Sequence, residues 1–303
     1  MWRCGTVTEP LSCYTAALAA YLAGVVEDPA AHLAGSVRLA VRTSTPVPAY
    51  SHHRFALHHL PGGSALRYAS AGTFAGAADV LAGELARHRA VLAVADTYGV
   101  PWSPAHRRTS ATHWILVDGG GPGRWHVRDT FAALLPAGEQ KPYEGWVDDR
   151  VLAEVLTLTG PVTDRDRYVF GVALEPPASP YRWLTRGPAG PAASSPPHEA
   201  WAEGGAAIDH LAEWFAAAGP AAEPHLDDVW AVARHHELRY RWLAATGAVP
   251  GDEAERATQA WRALPRSLHF AVGSARRGRP RAAVIRAGFD SVRPWVAEPG
   301  EQP

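Results

Sequence analysis

The sequence predicts an α+β protein with a short N-terminal helix, an antiparallel sheet and a helical C-terminal region. Three observations carry this expectation. Cys13 to Ala23 is rich in Ala and Leu and is entered through Pro10 and Ser12, which reads as a capped helix. Short apolar runs such as Val91 to Ala95 and His113 to Val117, bounded by polar and turn residues, read as strands. Beyond residue 199 the pattern turns helical, with Trp214, Trp230, Trp242 and Trp261 as large anchors.

Taken in order, Gly24 follows the first helix. A second helix is expected over Pro29 to Leu39, with Asp28 as cap and Pro29 in first position. Thr43 to Pro48 is turn-rich, and Arg54 to Leu60 and Ala65 to Ala69 read as a hairpin about Pro61-Gly62-Gly63. Gly76 to His88 is helical, and Val91 to Ala95 is a buried strand that delivers Asp96-Thr97-Tyr98 at its end. A loop over Gly99 to Thr112 precedes two strands, His113 to Val117 and Arg124 to Arg128, joined by the turn Asp118 to Gly123. Asp149 to Leu158 reads as helix and Arg167 to Leu174 as strand. Residues 176–198 are dense in Pro, Gly, Ala and Ser and read as a linker between a catalytic domain, 1–175, and a helical region, 199–303. Helices are expected there over Ala200 to Ala218, Leu226 to Ala245, Asp252 to Arg262 and Pro280 to Gly288.

The composition narrows the class. Hydrophobic residues make up 47% of the 303 positions and the net charge is −1, which suits a globular chain and gives no support for nucleic-acid or anionic-membrane binding. Lys141 is the only lysine, so the basic residues are otherwise arginine, as GC-rich coding produces. Cys4 and Cys13 are too few for a disulfide framework. No apolar leader precedes Ser12, and Ala16 to Val26 is too short to span a bilayer, so a cytoplasmic protein is expected.

The chemistry centres on Cys13. A cysteine in the first turn of a helix meets partial positive charge and unpaired N–H groups, which favour a thiolate and can receive an oxyanion. Taken alone, Cys13 reads first as a small buried apolar residue, the commonest fate of a free cysteine. His113 opens one strand of the later hairpin and Asp129 closes the other, so pairing about the turn brings them side by side. A carboxylate-held imidazole is the base that a cysteine nucleophile needs. The order Cys, His, Asp, with the cysteine on the first helix, is that of papain-like enzymes.

Glu9-Pro-Leu-Ser-Cys13, Val94-Ala-Asp96-Thr-Tyr98-Gly-Val-Pro101, Thr112-His113-Trp-Ile-Leu-Val and Val127-Arg-Asp129 resemble the butirosin biosynthesis protein H family, itself similar to C39-type papain-like peptidases. The resemblance implies a papain-like cysteine fold over roughly residues 4–175. It implies transfer of an acyl group from a carrier-protein thioester, through the active-site cysteine, to an amine in natural-product biosynthesis. The partners it implies are an acyl carrier protein bearing a phosphopantetheine thioester and a small-molecule acceptor. It maps nucleophile, base and orienting acid to Cys13, His113 and Asp129, with no cofactor or metal. C39-type peptidases carry a glutamine shortly before the cysteine; Thr6 to Glu9 contain none, which weighs against peptide hydrolysis more than against transfer from a reactive thioester. Thr130 stands where the family often has proline.

Four further residues are candidates for substrate binding: His53, Asp96, Tyr98 and Trp114. Asp96 could bind an amine or fix a loop. His52, His53, His58 and His59 lack the accompanying Cys or carboxylate pattern of a zinc site. His235-His236-Glu237 reads as a solvated helix face, Gly119 to Gly123 as a plain turn rather than a phosphate loop, and Arg276 to Arg281 as a solvated tail. Three rival functions stay open: a thioesterase if water accepts the acyl group, a chain-releasing cyclase if an internal nucleophile does, and a non-catalytic binding protein if Cys13 is core.

Overall fold

The computed structural model describes residues 11–54, 57–135, 137–169, 175–189 and 201–296. In chain order the elements are α1 (Cys13–Leu22), α2 (Pro29–Ser36), β1 (Val37–Arg42), β2 (Ala49–His53), β3 (His59–Leu60), β4 (Ser64–Ala71), α3 (Phe74–His88), β5 (Val91–Asp96), β6 (Thr112–Gly121), β7 (Arg124–Asp129), β8 (Ala133–Leu135), β9 (Gly138–Gln140), β10 (Tyr143–Val147), α4 (Asp149–Leu156), α5 (Asp164–Tyr168), β11 (Tyr181–Pro188), β12 (Trp201–Glu203), α6 (Gly204–Ala218), α7 (Leu226–Thr246), α8 (Gly251–Arg276) and α9 (Ala282–Val292). Short polar side chains set the helix starts. Ser12, Asp28, Thr73 and Asp148 each accept a backbone N–H of the turn they open, and Thr163 with Asp166 forms a capping box.

The main sheet is antiparallel, in the order β10-β7-β6-β5-β11-β4-β3. Its central strand β5 is buried along its whole length, because helices cover both faces. Leu92, Val94, Trp114 and Leu116 face α1, whereas Val91, Ala93, Ile115 and Val117 pack with Leu81 and Leu85 of α3 and Leu152 and Val155 of α4. The two-residue period of the strands thus divides one apolar run between two cores. The β6–β7 hairpin needs its glycines. Gly120 has φ +89°, and a Cβ there would run into the Arg124 carbonyl.

A second sheet, β12-β1-β2, lies under the C-terminal helices. Leu39, Val41 and Tyr50 join Ile208, Phe215, Val232, Trp261, Leu264 and Phe289 in a third core. Leu238 and Trp242 of α7 reach instead into the core around α1, so the helical region packs on the N-terminal part.

Several expectations are corrected. Residues 181–188, expected within a linker, form β11, inserted between β5 and β4 by registers that pair Trp183 with both Ala93 and Ala69. Proline and glycine on both sides of a strand mimic a linker's composition, and Trp183 and Leu184, both buried, are the apolar signal within it. The proposed boundary near 198 is bridged as well, since β12 pairs with β1. Residues 164–168, partly read as strand, are helix α5; residues 170–174 lie outside the described residues. The second helix stops at Ser36, and Val37 begins a strand. His235, His236 and Glu237, expected on a solvated face, are all buried.

Those histidines set an acid limit on the fold. Burial pushes His53 and His235 well below the ordinary imidazole value and His236 to about 3, so each stays neutral when folded and takes up a proton when unfolded. Their contribution is fully present above pH 6.5, the ordinary value, and is lost progressively as pH falls toward about 3. The urea midpoint is therefore expected to fall steadily through this window. His236→Phe, which keeps the stack on Trp261 (ring centroids 4.0 Å apart), should flatten the slope by about one proton, or roughly 1.4 kcal/mol per pH unit. An identical slope in the variant would contradict this assignment.

Candidate active site

Three elements bring the predicted triad together. Ser12 caps α1 by accepting Thr15 N–H at 3.2 Å, which places Cys13 at the first helical position, half-buried. His113 lies in β6 opposite Ala95 of β5. Arg128 pairs with Leu116, so Asp129 lies one step beyond, diagonal to His113 across the ladder. The result is a hydrogen bond of 2.8 Å between His113 Nε2 and Asp129 Oδ2. Cys13 is close enough to the His113 ring to favour its charged form. With Nε2 committed to Asp129, the nitrogen left for the sulfur is Nδ1.

Asp129 is almost sealed from solvent, at 1% exposure. Besides His113 it takes three donors: Trp102 Nε1 at 2.9 Å, Gln140 Nε2 at 3.4 Å and the Phe131 N–H at 3.0 Å. The Trp102 ring stacks on Tyr143 at 4.0 Å, which fixes its N–H in place. This shell matters because a buried carboxylate without partners would ionise only at large cost, and removing one partner of a buried ion pair costs about 3–5 kcal/mol. Burial pushes the His113 imidazole down, but the Asp129 charge and hydrogen bond, joined by Cys13, reverse this and raise it to about 10. His113 is therefore an imidazolium at neutral pH, held against the sulfur on one side and the carboxylate on the other.

The wall of the site comes from outside the triad. Phe131 meets the His113 ring edge-on at 5.6 Å and Trp230 of α7 at 6.1 Å. Arg165 of α5 binds the Asp228 carboxylate at 2.9 Å through both Nε and a terminal nitrogen, while over half of its side chain stays exposed. Its charge is favoured first by Asp228 and also by Cys13, which puts the guanidinium within electrostatic reach of the sulfur.

The four residues expected to bind substrate lie elsewhere. His53 is buried and its Nδ1 bonds Ser36 Oγ at 2.9 Å, so it does not line the cleft. Trp114 is core, edge-on to Tyr14 at 5.0 Å. The Asp96 carboxylate is filled by Tyr98 N–H, Ser110 Oγ and both the N–H and hydroxyl of Thr159, which assigns it to fixing loops. Those bonds hold it below the ordinary carboxylate value against the opposing effect of burial. Tyr98, half-exposed beside Arg107, joins Asp96 around a separate shallow depression of about 220 Å³. Among the described residues, no group of three His, Cys, Asp or Glu side chains could hold a metal ion, and no helix is long and apolar enough to cross a membrane.

Sequence reasoning missed Trp102, Gln140, Phe131, Arg165 and Trp230. Only Phe131 carried a local signal, two residues after Asp129 at the strand end; the others arrive from the loop after β5, from β9, and from α5 and α7. Compared with known proteins, the chain matches no protein-family model and no curated protein.

The raised His113 value fixes a sign. The charged ring contributes stability fully below pH 6.5, its ordinary value, and this is lost as pH rises to about 10. The stability difference between wild type and His113→Gln, from urea unfolding, is expected to shrink across that interval. A difference that is constant with pH would show that His113 is not charged in the fold.

Proposed function

We propose that this chain is a cysteine acyltransferase with a papain-like catalytic arrangement. It takes an acyl group from the phosphopantetheine thioester of a carrier protein and passes it to an amine. What supports the reading is one arrangement: Cys13 at a helix start, within electrostatic reach of His113, whose Nε2 is held by the buried Asp129 carboxylate.

Each proton has a place in the cycle. The Cys13 thiolate attacks the thioester carbonyl, and the first N–H groups of α1, which have no partner within a helix, can receive the developing oxyanion. The intermediate collapses as the C–S bond to the carrier breaks, and His113 Nδ1–H protonates the departing thiolate. His113 is then neutral and accepts a proton from the acceptor amine as that nitrogen attacks the Cys13 acyl carbon. Collapse of this second intermediate breaks the bond to Cys13 and restores thiolate and imidazolium. Asp129, on Nε2, holds the ring in the one orientation that presents Nδ1 to the sulfur in both halves of the cycle. Phe131 and Trp230 offer an apolar wall for the acyl chain or the acceptor.

The test is burst-phase acylation by a small acyl-pantetheine thioester, with the adduct located by mass spectrometry. Wild type is expected to carry the acyl group on Cys13 and to release an amide when amines are added. Cys13→Ala should carry none. His113→Ala should acylate about a hundred- to ten-thousand-fold more slowly, with part of the rate recovered at higher pH. The His113→Ala/Asp129→Asn double variant should be little worse than His113→Ala alone, because the two act as a unit. Release of the free acid whatever amine is present would make the chain a thioesterase, and release of a ring would make it a cyclase. The absence of any Cys13 adduct would overturn the proposal in favour of a binding protein.

A further inference from the structure

His235 sits in the middle of α7, far along the chain from the triad, yet a hydrogen-bonded path joins it to the nucleophile helix. Its Nε2 meets Thr15 Oγ1 at 2.9 Å, and Thr15 Oγ1 meets Ser12 Oγ at 2.8 Å. Ser12 is the cap whose oxygen accepts Thr15 N–H, and Cys13 follows it directly. His235 and Thr15 are each only 1% exposed, so water does not compete for the bond between them. The His235 Nδ1 is buried and has no hydrogen-bond partner among the described residues. An orphaned buried N–H is rarer than an orphaned acceptor, which places the single proton of the neutral ring on Nε2.

With the proton on Nε2, His235 donates to Thr15 Oγ1, and the Thr15 and Ser12 hydroxyls share the next hydrogen bond. Ser12 Oγ also accepts the Thr15 N–H, so the same oxygen that ends the path is the cap of α1. Two further rings lie against His235, His53 at 5.0 Å and His52 at 5.2 Å. His53 is fixed in turn. Ser36 Oγ donates to the Leu33 carbonyl and so must accept from His53 Nδ1–H.

We propose that His235 is a positioning residue for Cys13: through Thr15 and Ser12 it locks the cap of α1, and with it the ionisation of the thiol at that helix start. This makes α7 part of the catalytic apparatus rather than only a cover. The inference rests on the reading of Cys13 as nucleophile.

The test is alkylation of Cys13 by iodoacetamide across pH, on the full chain in a Cys4→Ser background, so that Cys13 is the only thiol. His235→Gln keeps an amide N–H close to the Nε2 position, whereas the shorter His235→Asn does not reach it. Thr15→Ser keeps the hydroxyl and Thr15→Val removes it. At about pH 7, His235→Asn and Thr15→Val should react about five- to tenfold more slowly than wild type, as loss of a helix cap predicts, with the pH midpoint moved upward. His235→Gln and Thr15→Ser should stay within about twofold of wild type on the same ground. If circular dichroism shows that His235→Asn does not fold, the two Thr15 variants carry the test. Wild-type rates and midpoint in Thr15→Val, or Gln no better than Asn at position 235, would overturn the inference while leaving the nucleophile reading intact. An inert thiol in the wild type would remove both.

Discussion

The buried hydrogen bond between Asp129 and His113 is the constraint around which the sheet is arranged. A carboxylate at that depth is tolerable only with a full set of partners, and the chain assembles them from four places: β6, the loop after β5, the backbone just beyond β7, and β9. This explains why strands that read as ordinary apolar runs carry His113 and Asp129 at their ends. It also explains why the loop from Gly99 onward is held so firmly. Trp102 must stack on Tyr143 to aim its indole N–H, and Asp96 spends its carboxylate fixing the flanks of that loop at Ser110 and Thr159.

Cys13 comes from the other side of the sheet's architecture. Helix α1 has no strong amphipathic pattern, and almost every residue in it is buried. It is clamped between the apolar face of β5 and β6 and the C-terminal helix α7, where Leu238 joins its core and His235 bonds Thr15. Cys13 is thereby positioned by two regions distant in sequence. The cost is a group of buried neutral histidines that water can no longer stabilise on protonation, which ties the integrity of the site to the acid stability of the whole chain.

Much of this was legible in the sequence, for physical reasons. Ser12 before a helical run announces a cap, and a hairpin with chemistry-bearing residues at both ends announces a pair, because both signals are local. The helix start at Cys13 and the meeting of His113 with Asp129 needed only those two rules. What escaped was non-local. Residues 181–188 were read as linker because their flanks are rich in Pro and Gly, while their place between β5 and β4 depends on partners about a hundred residues away. Periodicity could not reveal that His235, His236 and Glu237 are buried, since α7 is covered on more than one side. Trp114 and Asp96 were expected in the cleft by sequence proximity to the motifs, yet alternation along β6 turns Trp114 into the core, and the donors around Asp96 come from loops.

The central claim is that His113 is an imidazolium clamped between carboxylate and sulfur. Nitrogen NMR of the His113 ring, followed across pH in the wild type and in Asp129→Asn, tests it most directly. An ordinary histidine is neutral at about pH 8. The account predicts both ring nitrogens protonated there in the wild type, with deprotonation only toward about 10, and a markedly lower transition in Asp129→Asn. A neutral His113 ring at about pH 8 in the wild type, or a titration that Asp129→Asn leaves unchanged, would contradict it.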